Sequence, residues 1–433
     1  MTSPMGVIME HEYAFEMATS SIRYGPGVTR EVGMDLSQLK VRRVMVVTDP
    51  NLAKLAPVAT VREALEKENI QYELFDRVHV EPTDLSIGEA ITFAREGGFD
   101  AFVAVGGGSS MDTAKAANLY STYPADFLEY VNAPIGKGAP VPGELKPLFA
   151  IPTTAGTGSE TTGVAIFDLV SMHAKTGIAH RYLKPTLGLV DPENTRSMPS
   201  MVATSTGFDV LVHAMESYTT IPYTERERPA RPILRPAYQG HNPISDLWSA
   251  EAIRVASKYL ARAVEDPQDQ EARGKMILAA AYAGVGFGNG GLHLPHGMSY
   301  PVSGMVRNYR PPDYRVDEAL VPHGISVVLN APAAFRFTGA TNPERHLRVA
   351  GLLGADISRA RPEDAGNILA DQLVNLMRRL KVPNGLSAIG YTKADIPALV
   401  EGTLPQHRVI KLSPYPVGRE ELTRLFEQSM VIW

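Results

Sequence analysis

Apolar and polar positions follow two periods in the first half of the chain and one in the second. RRVMVVTD (42–49), YELFD (72–76), DAFVAVGGG (100–108), PLFAIPTT (147–154), VAIFDL (164–169) and TLGLVD (186–191) are short apolar runs bounded by turn residues, and each predicts a strand. VREALEKENI (61–70), IGEAITFAREG (87–97) and SMDTAKAANLY (110–120) carry helical spacing between them. Such alternation predicts an α/β domain with a mostly parallel sheet, helices on both faces, and ligands held beyond the carboxyl ends of the strands. After Pro192 the texture changes. IRVASKYLARAVE (253–265), KMILAAAYAGVGF (275–287), AGNILADQLVNLMRRL (365–380) and REELTRLFEQSM (419–430) all read as helices. The division is an α/β domain over residues 1–192 and an all-helical domain over 193–433. Between the first helices of the second domain, residues 221–246 are rich in proline and hold four arginines, which predicts a long loop.

GFDVLVHAMESY (207–218) belongs to the helical half and is mostly apolar or small. Asp209 and His213 stand four positions apart in it, on one face of a helix that is otherwise suited to burial. Two more histidines have unusual settings: LHLPHGMSYP (292–301) and LVPHGISVVL (320–329) both contain Pro-His-Gly, around His296 and His323. Three imidazoles and one carboxylate suit Zn²⁺ or Fe²⁺, and a metal with an open position can polarise a substrate oxygen. His293 is a rival to His296 for the third imidazole, whereas His11, His79, His173, His180, His241, His346 and His407 read as surface or structural groups.

Composition narrows the chemistry. The chain of 433 residues is 44% hydrophobic and 21% charged, ordinary for a globular protein, and its net charge of -5 argues against nucleic acid or an anionic membrane as partner. It contains no cysteine, so disulfides, thiolate metal sites and a cysteine nucleophile are excluded. The first twenty residues hold no Arg or Lys but carry Glu10, Glu12 and Glu16, unlike a transit peptide, and have no continuous apolar centre like a secretory signal. No run is long and apolar enough to read as a membrane span. The expectation is a cytoplasmic protein.

Two loops suggest a nucleotide. VAVGGGSSMDTAK (103–115) leaves a strand and opens a helix, so its glycines allow close approach and the helix N-terminus offers N–H groups to an anion; a simple tight turn is the alternative. PTTAGTGSE (152–160) also follows a strand, and its hydroxyls and glycines suit phosphate or ribose. Asp49, ending the strand in VVTDP, either hydrogen-bonds ribose hydroxyls, which favours NAD over NADP, or caps a turn before Pro50.

GGGSSMDTAK, PTTAGTGSE, the D-x3-H of GFDVLVHAMESY and the two later His-Gly sites occur in the same order in the iron-containing alcohol dehydrogenase family, which the chain resembles over nearly its whole length. The resemblance implies an NAD-binding first domain and a metal-binding helical second domain, the dehydroquinate synthase-like arrangement. It implies Asp209, His213, His296 and His323 as metal ligands, with Fe²⁺ favoured over Zn²⁺. It places Gly106, Gly107, Gly108, Ser109, Asp112, Thr153 and Thr154 around the dinucleotide, Lys175 near its phosphates and Asp49 on its ribose. It also implies a homo-oligomer. Where many members have a second histidine at the third ligand, this chain has Tyr300, the candidate to orient substrate or pass a proton.

SIRYGPGVTREVGMDL, VEPTD, NPISD and ADIPALVEGTLPQ resemble the branch of hydroxyacid-oxoacid transhydrogenases. That likeness implies small hydroxy acid and oxo acid partners: 4-hydroxybutyrate oxidised to succinic semialdehyde, and 2-oxoglutarate reduced to 2-hydroxyglutarate, through bound NAD. A buried substrate carboxylate calls for a charged, forked donor, and Arg226, Arg228, Arg231, Arg235 and Arg307 are the candidates. The rival readings are an NAD-dependent alcohol dehydrogenase that releases NADH, a lyase of the dehydroquinate synthase type, and a non-catalytic dinucleotide sensor.

Overall fold

A computed structural model describes residues 11–172, 174–314, 316 and 318–433; His173 lies outside them. Among the described residues eight strands run β1 (Ser21–Tyr24), β2 (Arg43–Val47), β3 (Gln71–Phe75), β4 (Ala101–Gly106), β5 (Leu148–Pro152), β6 (Val164–Leu169), β7 (Ala174–Ala179) and β8 (Leu187–Val190). Six of them form one sheet in the order β1-β8-β5-β4-β2-β3, parallel throughout. The helices of this half are α1 (Val32–Gln38), α2 (Ala56–Lys67), α3 (Asp84–Gly97) and α4 (Gly108–Thr122). Residues of α1 and α2 join one core on one face of the sheet, with Val44, Val46, Val103 and Ile151, while α3 and α4 join another with Met45, Val47, Phe102 and Ala150. Successive residues alternate between these cores, as the pleat requires. Strands buried on both faces are continuous apolar runs for that reason.

Two features differ from the reading of the chain. β1 is a four-residue edge element with weak apolar character that pairs with β8. VAIFDL does not join the main sheet: β6 pairs antiparallel with β7 in a sheet of two. The connection between them is a single 3-10 turn, Val170–Met172, plus one residue, too short for a parallel crossover.

From residue 200 onward the chain is helical: α5 (Ser200–Thr219), α6 (Pro243–Glu265), α7 (Gln270–Gly290), α8 (Leu294–Gly304), α9 (His323–Val328), α10 (Ala331–Thr338), α11 (Pro343–Leu352), α12 (Ala365–Arg379), α13 (Ile396–Thr403), α14 (His407–Ile410) and α15 (Arg419–Ser429). α5 is the axis of this half, packed by α6, α7 and α9, so polar Asp209, His213 and Glu216 are buried with its apolar residues. Apart from Tyr238, which lines a cavity, the proline-rich stretch is a strap rather than part of a cleft. Its Arg235 donates to Glu12 at 2.9 and 3.1 Å, and the Glu12 N–H donates to the Arg226 carbonyl at 2.8 Å, tying it to the start of the chain. Among the described residues no helix is long and apolar enough to cross a membrane.

Candidate metal and dinucleotide site

Asp209 and His213 project from one face of α5, and α8 and α9 bring His296 and His323 to it. One ligand atom from each of the four lies within 4.8 Å of the others. Asp209 Oδ1 is 3.5 Å from His213 Nδ1, 3.5 Å from His296 Nε2 and 3.7 Å from His323 Nε2. Four ligands about 2.1 Å from a tetrahedral cation stand roughly 3.4 Å apart. Asp209 Oδ1, His213 Nδ1 and His296 Nε2 are buried and have no hydrogen-bond partner among the described residues. Orphaned buried donors and acceptors converging at that spacing fit a cation, and the donor set suits Fe²⁺ or Zn²⁺.

The glycine after each of the two later histidines has a steric reason. A Cβ on Gly324 would stand 1.9 Å from the Ser205 carbonyl oxygen, so α9 can seat His323 against α5 only with glycine there. A Cβ on Gly297 would stand 2.7 Å from Ile410 Cγ2, where α14 backs onto α8.

Electrostatics sharpen the site. Burial works against ionisation of Asp209, yet the facing His213, His323 and His296 hold its carboxyl far below the ordinary carboxylate range. Burial pushes His213 down to about 3. Burial would lower His296 too, but Glu216 and Asp209 outweigh it and push that imidazole up to about 9. Glu216 escaped the reading of the chain. Its Oε2 accepts from His296 Nδ1, and its Oε1 accepts from the backbone N–H of His293 at 3.0 Å and of His296 at 3.2 Å. Its position seven residues after Asp209 and three after His213, on the same helical face, was the available signal. Phe287 stacks on the His213 ring with centroids 4.0 Å apart, fixing its plane.

His293 does not join the cluster. Thr219 donates its hydroxyl hydrogen to the Met215 carbonyl at 2.8 Å, so His293 Nε2 donates to Thr219 Oγ1 at 3.0 Å, away from the cluster. His346 is buried on Thr338 and Asn342, and His79 and His241 face Glu318 and Asp246.

One cavity joins this cluster to the loops of the sheet. Its walls include Asp49, Gly107, Gly108, Ser109, Asp112, Thr153 and Thr154 at one end, and Asp209, His213, His296 and His323 at the other. Gly106 ends β4 opposite Pro152 and is not a wall of the cavity. Asp49 Oδ1 accepts from the N–H groups of Asn51 and Leu52, so the residue caps its turn while lining the cavity. Asp112 joins the two loops: it accepts from Ser159 Oγ at 2.7 Å and from the Ile166 N–H at 2.9 Å. Lys175 does not line the cavity. Its buried ammonium is held by Glu81 at 2.8 Å and Asp168 at 3.1 Å.

None of the five arginines proposed for a carboxylate lines the cavity. Arg235 pairs with Glu12, Arg307 pairs with Asp395, Arg228 lies over the Tyr13 ring, and Arg226 and Arg231 sit in the strap. The strap closes on the N-terminal segment and keeps its four arginines off the cavity, while Arg307 is held on the surface by Asp395. Tyr300 does line the cavity, one turn beyond His296 on α8, and its hydroxyl accepts from Arg408 Nη2 at 2.9 Å.

The family description "Iron-containing alcohol dehydrogenase" matches residues 19–192, and "Fe-containing alcohol dehydrogenase family, C-terminal" matches residues 237–430. The chain belongs to the iron-containing alcohol dehydrogenase family. As a member it is an oxidoreductase of NAD and a divalent metal acting on small molecules. It is 60% identical over 424 residues, 98% of this chain and 91% of the other, to the mitochondrial hydroxyacid-oxoacid transhydrogenase of Bos taurus. The Homo sapiens protein of the same name is 59% identical with the same coverage. Among solved structures, 1,3-propanediol oxidoreductase matches with a TM-score of 0.84 at 25% identity, covering 96% of this chain and 100% of its own.

Both relatives are mitochondrial by name, which overturns the cytoplasmic expectation drawn from residues 1–20. The residues that build the fold serve packing and the site, so they carry no trace of the compartment.

Proposed function

We propose that this protein passes hydride from 4-hydroxybutyrate to 2-oxoglutarate through a dinucleotide that stays bound, giving succinic semialdehyde and 2-hydroxyglutarate. The observation that carries this reading is the single cavity with nucleotide-type loops at one end and three imidazoles with a carboxylate at the other. Likeness to the transhydrogenases over 98% of the chain supports the choice of acids. The two half-reactions balance: the carbinol gives up a hydride and a proton, and the keto carbon and its oxygen receive one of each.

Asp209, His213, His296 and His323 would hold the metal, Fe²⁺ in preference to Zn²⁺ by family likeness. Asp49, Gly107, Gly108, Ser109, Thr153 and Thr154 would hold the dinucleotide. The metal supplies a Lewis acid for the substrate oxygen, and the nicotinamide supplies the hydride carrier. The protein's own groups orient and protect. Glu216 holds the proton of His296 on Nδ1 and leaves Nε2 as a donor to the cation. Because Tyr300 already accepts from Arg408, its hydroxyl hydrogen is available to a substrate oxygen in the cavity.

The test uses purified protein that retains its metal and nucleotide, mixed with 4-hydroxybutyrate and 2-oxoglutarate and no added NAD. Equal amounts of succinic semialdehyde and 2-hydroxyglutarate are expected, without free NADH. Turnover that instead requires added NAD and accumulates NADH makes the protein an ordinary alcohol dehydrogenase. Metal analysis of the same sample decides between iron and zinc. A lyase acting on a phosphorylated substrate is disfavoured, because Arg408 is the one Lys or Arg among the described residues that line the cavity.

A further inference from the structure

We infer that Arg408 is the residue that recognises the substrate carboxylate, and that one guanidinium serves both the hydroxy acid and the oxo acid. The inference rests on the acid-exchange reading above. It starts from a charge without a counter-charge. Arg408 lines the cavity, and no carboxylate lies within ion-pair distance of it among the described residues. Its two named partners are neutral: the Tyr300 hydroxyl, which accepts from Nη2 at 2.9 Å, and the face of Tyr238, whose ring centre is 4.6 Å from the guanidinium carbon. Nη1 is buried with no hydrogen-bond partner among the described residues. A half-buried cation with a buried, unmet N–H is costly unless an anion completes it. A planar fork with one edge already fixed is the donor best matched to a carboxylate.

Position supports the same assignment. Tyr300 stands one helical turn from His296 on α8, so Arg408 is held beside the metal ligands and not at the dinucleotide end. The close packing of Ile410 on Gly297 sets α14 against α8 and fixes that placement. In 4-hydroxybutyrate the carbinol carbon is separated from the carboxylate by two methylene groups. In 2-oxoglutarate two methylene groups also separate the keto carbon from the remote carboxylate. A single cation at a fixed distance from the ligand cluster therefore presents the reacting carbon of either acid at the same point. The second carboxylate of 2-oxoglutarate adjoins the keto carbon and lies toward the cluster.

The experiment compares holoenzyme with R408Q and R408K, using 4-hydroxybutyrate against butane-1,4-diol, which has a hydroxymethyl group in place of the carboxylate. R408Q is expected to lower the acid-over-diol ratio of kcat/KM on the order of 100-fold, mostly through KM, and to raise the KM for 2-oxoglutarate in parallel. R408K keeps the charge but not the fork, and is expected to recover part of the ratio. If both acids keep their advantage in R408Q, or if acid and diol fall together, Arg408 is structural and the inference is wrong. Should R408Q fail to fold, by circular dichroism and metal content, R408K decides: an unchanged ratio overturns the inference. Wild-type protein that does not exchange the two acids overturns the functional reading as well, so the two failures are distinguishable.

Discussion

At the scale of single residues, Glu216 determines which nitrogen of His296 faces the cluster. It collects three N–H groups, two from the backbone and one from the imidazole, and it is wholly buried. E216Q keeps the shape and removes the charge. It is expected to weaken metal binding roughly 10–100-fold, read by competition with a chelator of known affinity. His293 and His296 give a second contrast. Both are buried imidazoles three positions apart, but only His296 aims a ring nitrogen at Asp209. H296A should lose its metal by elemental analysis while folded H293A retains it; metal retained in H296A would dismantle the ligand set. The Asp209–His213 pair and both His-Gly sites were legible in the chain, because helical spacing and a neighbouring glycine are local signals. Arg408 was not, since its partner Tyr300 is 108 positions away and QHRVI carries no motif.

At the scale of elements, strand and helix patterns translated well wherever the element is buried on a defined face. β2, β4 and β5 are apolar runs because both sides of the sheet are covered, and α5 is buried around nearly its whole circumference because three helices enclose it. The loop after β5 shows what periodicity cannot convey. Glu160 there is buried with Oε1 unpartnered among the described residues, and burial pushes its carboxyl from 4.5 up to about 7. Its folded pKa is raised, so its contribution to stability is full below pH 4.5 and is lost as pH rises through about 7. E160Q should therefore flatten the fall in stability between those values, which is worth about 3 kcal/mol, in denaturant titrations at pH 4.5 and 7.5. An unchanged slope would show that the carboxyl is ionised at little cost.

At the scale of the whole molecule, the cavity between the sheet and the helical bundle makes stability and ligand binding one equilibrium. The four side chains proposed to hold the metal come from α5, α8 and α9, and the opposite wall comes from the loops after β4 and β5. Stripping the metal should lower the melting temperature, and restoring it at 100 times its Kd should return about 2.7 kcal/mol. Scanning calorimetry with and without chelator checks this. A melting temperature indifferent to metal would mean that the four side chains hold their arrangement without gaining from an ion.

The amino-acid sequence by itself determined the kind of elements, the order in which they follow, and the donors available for a metal and a dinucleotide. Periodicity, turn residues and side-chain chemistry are properties of short stretches, so they survive without coordinates. Only the tertiary structure decided which arginine meets the cavity, that the proline-rich strap binds the N-terminal segment, that Lys175 is enclosed by two carboxylates, and that β6 leaves the main sheet. Those outcomes depend on directions and distances between residues far apart in the chain. They follow from how two layers and a bundle close on one another, and no local pattern encodes that closure.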